Sequence, residues 1–130
     1  MLILIEDNPV DVFIHTKVFE LSGYRDPVLS FPNGRAALTY LGSISTSALE
    51  SDSLILLDIR MPDMNGFEFL DAFSRLEKEV FNAFPVVMLS SSIDEDDQTR
   101  ARQYATVLDF IDKPLTREKV QRIQALRRKS

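Results

Sequence analysis

Along this chain, side chains able to do chemistry close one apolar run after another. Glu6-Asp7 follows Met1–Ile5, Asp58 follows Leu54-Ile55-Leu56-Leu57, Ser90 follows Val86-Val87-Met88-Leu89, and Lys113 stands just past Phe110-Ile111-Asp112. A carboxylate can act as a nucleophile toward phosphorus and give an acyl phosphate. If Glu6, Asp7 and Asp58 share one crevice, each like-charged pair at about 5 Å repels by roughly 3 kcal/mol at an effective dielectric of about 20. Such a cluster calls for a cation, and hard oxygen ligands without His or Cys select Mg2+. Lys113 offers a fixed positive charge to a phosphoryl group, and the Ser90 hydroxyl can donate to a phosphoryl oxygen. Metal and lysine together neutralise charge on the transferring group, which is most of what phosphoryl transfer asks of a protein.

The elements that must bring these residues together are legible in the patterning. The third strand is read at Ser53–Leu57, and its uninterrupted apolar run Leu54–Leu57 is that expected of a parallel strand buried on both faces. Asp58 then sits at the carboxyl edge, where open α/β sheets bind ligands. The remaining strands are read at Met1–Ile5, Pro27–Phe31, Pro85–Leu89 and Val107–Ile111. The first helix starts at Asn8-Pro9, buries Val10, Phe13, Ile14, Val18 and Leu21, and closes at Gly23. Asn33 caps a second helix through Leu41, and the Ser-rich stretch 43–52 reads as loop. A third helix after Gly66 buries Phe69, Leu70, Phe73, Leu76 and Val80, with Asp71 and Arg75 paired one turn apart. A weak fourth helix spans Asp94–Tyr104, and Thr116 caps a fifth that buries Val120, Ile123 and Leu126. Five strands alternating with five helices form an α/β, (βα)5 doubly wound parallel sheet. With strand order 2-1-3-4-5, strands one and three are neighbours at the topological switch point.

The 130 residues are expected to form a single domain over 1–130 with no effector domain. A net charge of −5 argues against nucleic acid as a partner. The basic residues near the end (Arg117, Lys119, Arg122 and Arg127-Arg128-Lys129) read as a solvated last helix whose cations suit its dipole. The absence of cysteine excludes disulfides and thiolate metal sites. Met1–Ile5 is too short for a signal-peptide apolar region and no apolar run reaches the length of a membrane span, so a cytoplasmic location is expected.

With those residues in place, the sequence resembles a bacterial response-regulator receiver domain of the two-component systems over essentially its whole length. The features that carry the likeness are LILIEDNP, LILLDIRMPDMNG, PVVMLSSS and DFIDKPLT, in that order and spacing. The resemblance implies a flavodoxin-like receiver fold with Asp58 as phosphoacceptor. It implies Asp7 as a direct Mg2+ ligand, Glu6 acting on the metal mainly through water, and the main-chain carbonyl of Arg60 completing the site. Ser90 and Lys113 become phosphate contacts, Phe110 the aromatic switch residue, and Lys113–Pro114 a cis bond. The implied partner is a sensor histidine kinase or phosphotransfer protein. Phosphorylation would alter the surface of the fourth helix, fifth strand and fifth helix for a downstream protein, with Tyr104 and Arg122 on it. Phe110 stands where many receivers carry Tyr, Thr106-Val107 replaces the usual Gly-Ala, and one extra residue follows Ser90-Ser91-Ser92. Arg60 and Ser92 occupy positions that tune dephosphorylation in the family.

Two other functions compete. A haloacid-dehalogenase-type phosphatase also uses a strand-end Asp, a Ser/Thr, a Lys and Mg2+, but needs a second Asp where Arg60 stands. A receiver-like module could instead bind its partner without phosphorylation. Nucleotide-binding glycine motifs do not occur. The expected role is that of a phosphoacceptor switch that catalyses its own phosphoryl transfer and dephosphorylation, rather than an enzyme. His15, the only histidine, reads as packed or partly exposed rather than as a relay residue. Asp94-Glu95-Asp96-Asp97 reads as an acidic first helical turn, and Asp63 as solvated or locally hydrogen-bonded.

Overall fold

The computed structural model describes residues 1–92 and 94–129, with the side chains of residues 128 and 129 left aside. The extra residue expected after Ser92 therefore lies outside the described residues. The strands are β1 (Leu2–Ile5), β2 (Val28–Phe31), β3 (Leu54–Asp58), β4 (Val86–Ser90) and β5 (Val107–Asp112). They pair in parallel in the order β2-β1-β3-β4-β5. In register, Ile5 lies beside Leu57, and Asp58 beside Leu89. The carboxyl ends of β1, β3 and β4 therefore finish at one edge, and the strand order reverses between β1 and β3. A register irregularity beside Val86/Val87 leaves Leu108 of β5 unpaired.

Side chains alternate across the sheet with period two, and each face has its own core. Leu2, Leu4, Leu54, Leu56, Val87 and Leu89 face a layer with Phe19, Val120 and Ile123, from helices α1 (Pro9–Leu21) and α6 (Arg117–Lys129). Ile3, Ile5, Ile55, Leu57, Val86 and Met88 face the opposite layer. That layer consists of α2 (Gly34–Ser43), α3 (Gly66–Phe73), α4 (Lys78–Ala83) and α5 (Glu95–Ala101). β1, β3 and β4 are buried along their whole length, which explains their unbroken apolar sequences.

Local chemistry sets the helix ends. Asn8 Oδ1 accepts from the Val10 and Asp11 amides, Asn33 Oδ1 from Ala36, and Asp94 Oδ1 from Asp96 and Asp97. Asn65 and Glu68 form a reciprocal capping box at α3. Thr116 Oγ1 accepts from the Lys119 amide.

Three expectations about the helices are corrected. The helix after Gly66 is two helices, because Ser74 Oγ takes the Asp71 carbonyl and the amides of Arg75 and Leu76 reach back only three residues. Extended backbone at Glu77 then starts α4. The expected fourth and fifth helices are thus α5 and α6. The Asp71–Arg75 pair is not formed; Asp71 Oδ1 instead accepts from the Tyr104 hydroxyl at 2.9 Å.

The largest correction concerns α1. Val10, Phe13, Ile14 and Leu21, read as its buried stripe, are 63%, 64%, 39% and 80% exposed. His15 and Phe19 are buried instead. Apolar residues lie all round this helix, so their spacing does not select a face. A smaller difference is a 3-10 turn at Thr46–Ala48 inside the expected loop; Asp63 is solvated as expected and also pairs with Arg35 of α2 at 2.8 Å.

Candidate functional site

The sheet edge assembles an acidic pocket. One carboxylate oxygen from each of Glu6, Asp7 and Asp58 lies within 4.8 Å of the others. Glu6 follows β1 directly, and its amide continues the sheet pairing by donating to the Phe31 carbonyl at 3.1 Å. Its side chain is buried, as is that of Asp58 at the last position of β3, while Asp7 opens to solvent. Because Asn8 takes the α1 cap, the Asp7 carboxylate is left for the pocket.

Burial drives the Glu6 carboxyl pKa above the usual carboxylate value, and the neighbouring Asp58 adds to this against the opposing pull of Lys113. Desolvation, then Glu6, raises Asp7 as well. In both groups burial and like charge penalise the ionised form, a penalty that a cation in the pocket would relieve. An all-oxygen donor set of this size fits Mg2+, and Glu6, Asp7 and Asp58 are the residues that would hold it. The Arg60 side chain runs to α5, with Asp97 at 2.7 Å and Asp94 at 4.0 Å.

Lys113 supplies the cation of the protein itself. Its Nζ donates to Glu6 Oε1 in a short contact and stands 3.3 Å from Asp58 Oδ1. Burial acts to lower the Lys113 pKa, but Glu6, Asp58 and Asp11 outweigh it and hold the ammonium above its ordinary value. The Lys113 amide donates to the Ser90 carbonyl at 2.7 Å, which fixes the end of β5 against β4. The Lys113–Pro114 bond is cis. Beyond it, Lys119 Nζ gathers the Asp112 carbonyl at 2.9 Å, the Pro114 carbonyl at 3.1 Å and Asp112 Oδ1 at 3.1 Å. That staple shapes the loop carrying Lys113. Sequence reasoning missed it because Lys119 is one of several cations on a helix end.

Ser90 is fully buried, and its hydroxyl donates to the Ser92 carbonyl at 2.6 Å. Phe110 is half-buried against the core beneath α5. It lines a groove with Arg102, Leu108 and Arg122, and Arg122 holds Asp109 at 2.6 Å. Tyr104 packs its ring against Phe67, 6.1 Å between centroids. His15 is buried under α1, and burial depresses its pKa below the usual histidine value. Its Nδ1 has no hydrogen-bond partner among the described residues.

The structure thus brings Glu6, Asp7, Asp58 and Lys113 into one pocket. It also adds a carboxylate that sequence reading missed, Asp11 of α1, 3.3 Å from Lys113 Nζ. At the first turn of a helix, nothing local distinguishes Asp11 from an acid favoured by the dipole.

A family model described as response regulator receiver domain matches residues 2–124. The chain is 32% identical over 123 residues to the probable methanogenesis regulatory protein FilR2 of Methanothrix harundinacea, covering 94% of this chain and 77% of that protein. It spans about half the length of several other curated relatives. Among solved structures, a two-component response regulator from Cytophaga hutchinsonii superposes with a TM-score of 0.89 at 29% identity, covering 99% of this chain and 96% of that one. The receiver domain of the sensor histidine kinase PA1611 from Pseudomonas aeruginosa PAO1 superposes with a TM-score of 0.76 at 25% identity, covering 99% and 97%. That structure holds a magnesium ion coordinated in its active-site cleft.

Proposed function

Because the chain belongs to the response regulator receiver domain family of two-component systems, we propose that it is a phosphorylation switch with Asp58 as phosphoacceptor. The observation that carries this reading is the convergence of Glu6, Asp7 and Asp58 within 4.8 Å, with Lys113 Nζ 3.3 Å from Asp58 Oδ1. An Asp58 oxygen attacks the phosphorus of a phosphohistidine on a sensor kinase or phosphotransfer protein. The new bond is an acyl P–O bond, the P–N bond breaks, and the imidazole leaves with the electron pair. Mg2+ bound by the acidic pocket would neutralise charge on the carboxylates and on the phosphoryl oxygens.

Lys113 holds its positive charge beside Asp58 and is placed to meet a phosphoryl oxygen. The Ser90 hydroxyl exchanges the Ser92 carbonyl for another phosphoryl oxygen, which pulls on the loop between β4 and α5. Phe110, half-buried on β5, follows by repacking, and the α5–β5–α6 groove that it lines changes shape for a downstream protein. The phenyl ring ends such a movement in packing alone, with no hydroxyl to bond.

The test is intact mass after incubation with Mg2+ and acetyl phosphate, for the wild type and Asp58→Asn. Gain of one phosphoryl group by the wild type alone is the expected result. Equal gain by both proteins places the acceptor elsewhere. No gain, together with no binding of beryllofluoride in the presence of Mg2+, overturns the reading.

A further inference from the structure

We infer that Asp11 is a positioning residue that competes with the phosphoryl group for Lys113, so that its carboxylate sets how tightly the switch holds its active state. The inference rests on the phosphoacceptor reading of Asp58.

Lys113 Nζ is hydrogen-bonded to Glu6 Oε1 and, at 3.3 Å, to Asp11 Oδ2, while Asp58 Oδ1 stands 3.3 Å away. An ammonium has three N–H donors. Glu6 and Asp11 engage two of these and Asp58 faces the third, so a phosphoryl group on Asp58 gains a second donor from the lysine only by displacing Glu6 or Asp11. The three carboxylates are not equivalent. Glu6 and Asp58 belong to the acidic cluster and are neutralised by any cation that enters it; Asp11 lies outside that cluster. With the cation bound, Asp11 keeps its full claim on Lys113. A phosphoryl group on Asp58 also shares that one lysine with the negative charge of Asp11 and is repelled by it. Both effects act in the same direction, against the phosphorylated state.

The placement of Asp11 is built into the fold. It lies in the first turn of α1, one helical turn before buried His15 and two before buried Phe19, so it projects from the face that packs on the sheet. Its side chain is 33% exposed, against 11% for Lys113. A partly exposed ion pair of this kind changes an equilibrium by roughly two- to fivefold.

The chain has no tryptophan, so beryllofluoride binding at saturating Mg2+ is read by calorimetry or fluorine NMR on the whole chain. Asp11→Asn is expected to bind beryllofluoride roughly two- to fivefold tighter than the wild type. Asp11→Ser, which keeps a short polar side chain in the first turn, should show the same gain, and Asp11→Glu should return the affinity toward the wild-type value. A merely structural role predicts the opposite sign, since loosening α1 weakens binding. Wild-type binding with unchanged or weaker affinity in both Asn and Ser variants overturns the inference alone. Absence of beryllofluoride binding by the wild type overturns the phosphoacceptor reading and this inference with it.

Discussion

Gly66 tests whether the β3 edge is held as rigidly as the proposed phosphoryl transfer at Asp58 would demand. Gly66 opens α3, and its amide donates to the Ile59 carbonyl at 2.9 Å. A methyl group added there would meet the Asp58 carbonyl oxygen and the Ile59 Cα, each at 3.0 Å, and the Met88 methyl at 3.2 Å. Ordinary carbon contacts lie near 3.5–4.0 Å, so about 0.5 Å must be found. Two of the three obstructing atoms are backbone, and one belongs to Asp58, the proposed phosphoacceptor.

Overpacking of this kind costs about 1–3 kcal/mol. The loss of glycine from the unfolded chain returns about 0.4–1 kcal/mol. Gly66→Ala should therefore lose about 1–2 kcal/mol, which for a chain of this size lowers the melting temperature by roughly 4–8 °C. Since a 1 Å misplacement can cost about 100-fold in rate, a shift of about half that should slow labelling by acetyl phosphate about tenfold. The control is Gly34→Ala. Its methyl group would meet Met64 Sδ at 2.8 Å and Phe69 Cδ1 at 3.2 Å, and the flexible thioether can move aside. That variant should stay within about 1 kcal/mol of the wild type and label at the wild-type rate. Melting curves and time-resolved intact mass on the three proteins decide the matter. A Gly66→Ala protein that melts and labels like the wild type, or a Gly34→Ala protein that is the more damaged, refutes the reasoning.

Phe13 and Phe19 oppose two descriptions of α1. Phe13→Ser should change stability by no more than about 0.5 kcal/mol, while Phe19→Ala should cost about 3–5 kcal/mol; urea unfolding with the reverse ranking would mean the helix is turned the other way. His15 is buried with its pKa depressed, so below its unfolded value of about 6.5 the unfolded chain takes up a proton that the folded chain resists. Its contribution to stability is therefore complete above that pH and lost as pH falls below it. His15→Leu should flatten that part of the urea-midpoint profile, and an unchanged slope would remove His15 as its source.

The residues of the pocket were legible because their placement depends on strands. A strand buried on both faces announces itself by an unbroken apolar run, and parallel pairing brings the carboxyl ends of β1, β3 and β4 to one edge whatever the helices do. Glu6, Asp7 and Asp58 could therefore be gathered from sequence. The break at Ser74–Glu77 was not legible, since no glycine or proline marks it and the competing bond is a serine hydroxyl to a carbonyl three residues back. The rotation of α1 was not legible either, and that one misreading had two consequences. The face centred on Val10, Phe13, Ile14 and Leu21 points roughly a quarter-turn or more away from Asp11 at helical spacing of about 100° per residue. Turning His15 and Phe19 inward exposes Phe13 and, by the same rotation, carries Asp11 to Lys113. The exposed aromatic and the third carboxylate on the lysine are thus a single fact about helix orientation. Apolar spacing cannot report that orientation when a helix is apolar all round; here it is set by what Phe19 meets, the edge of the Tyr24 ring at 5.7 Å and the core beneath β1 and β3.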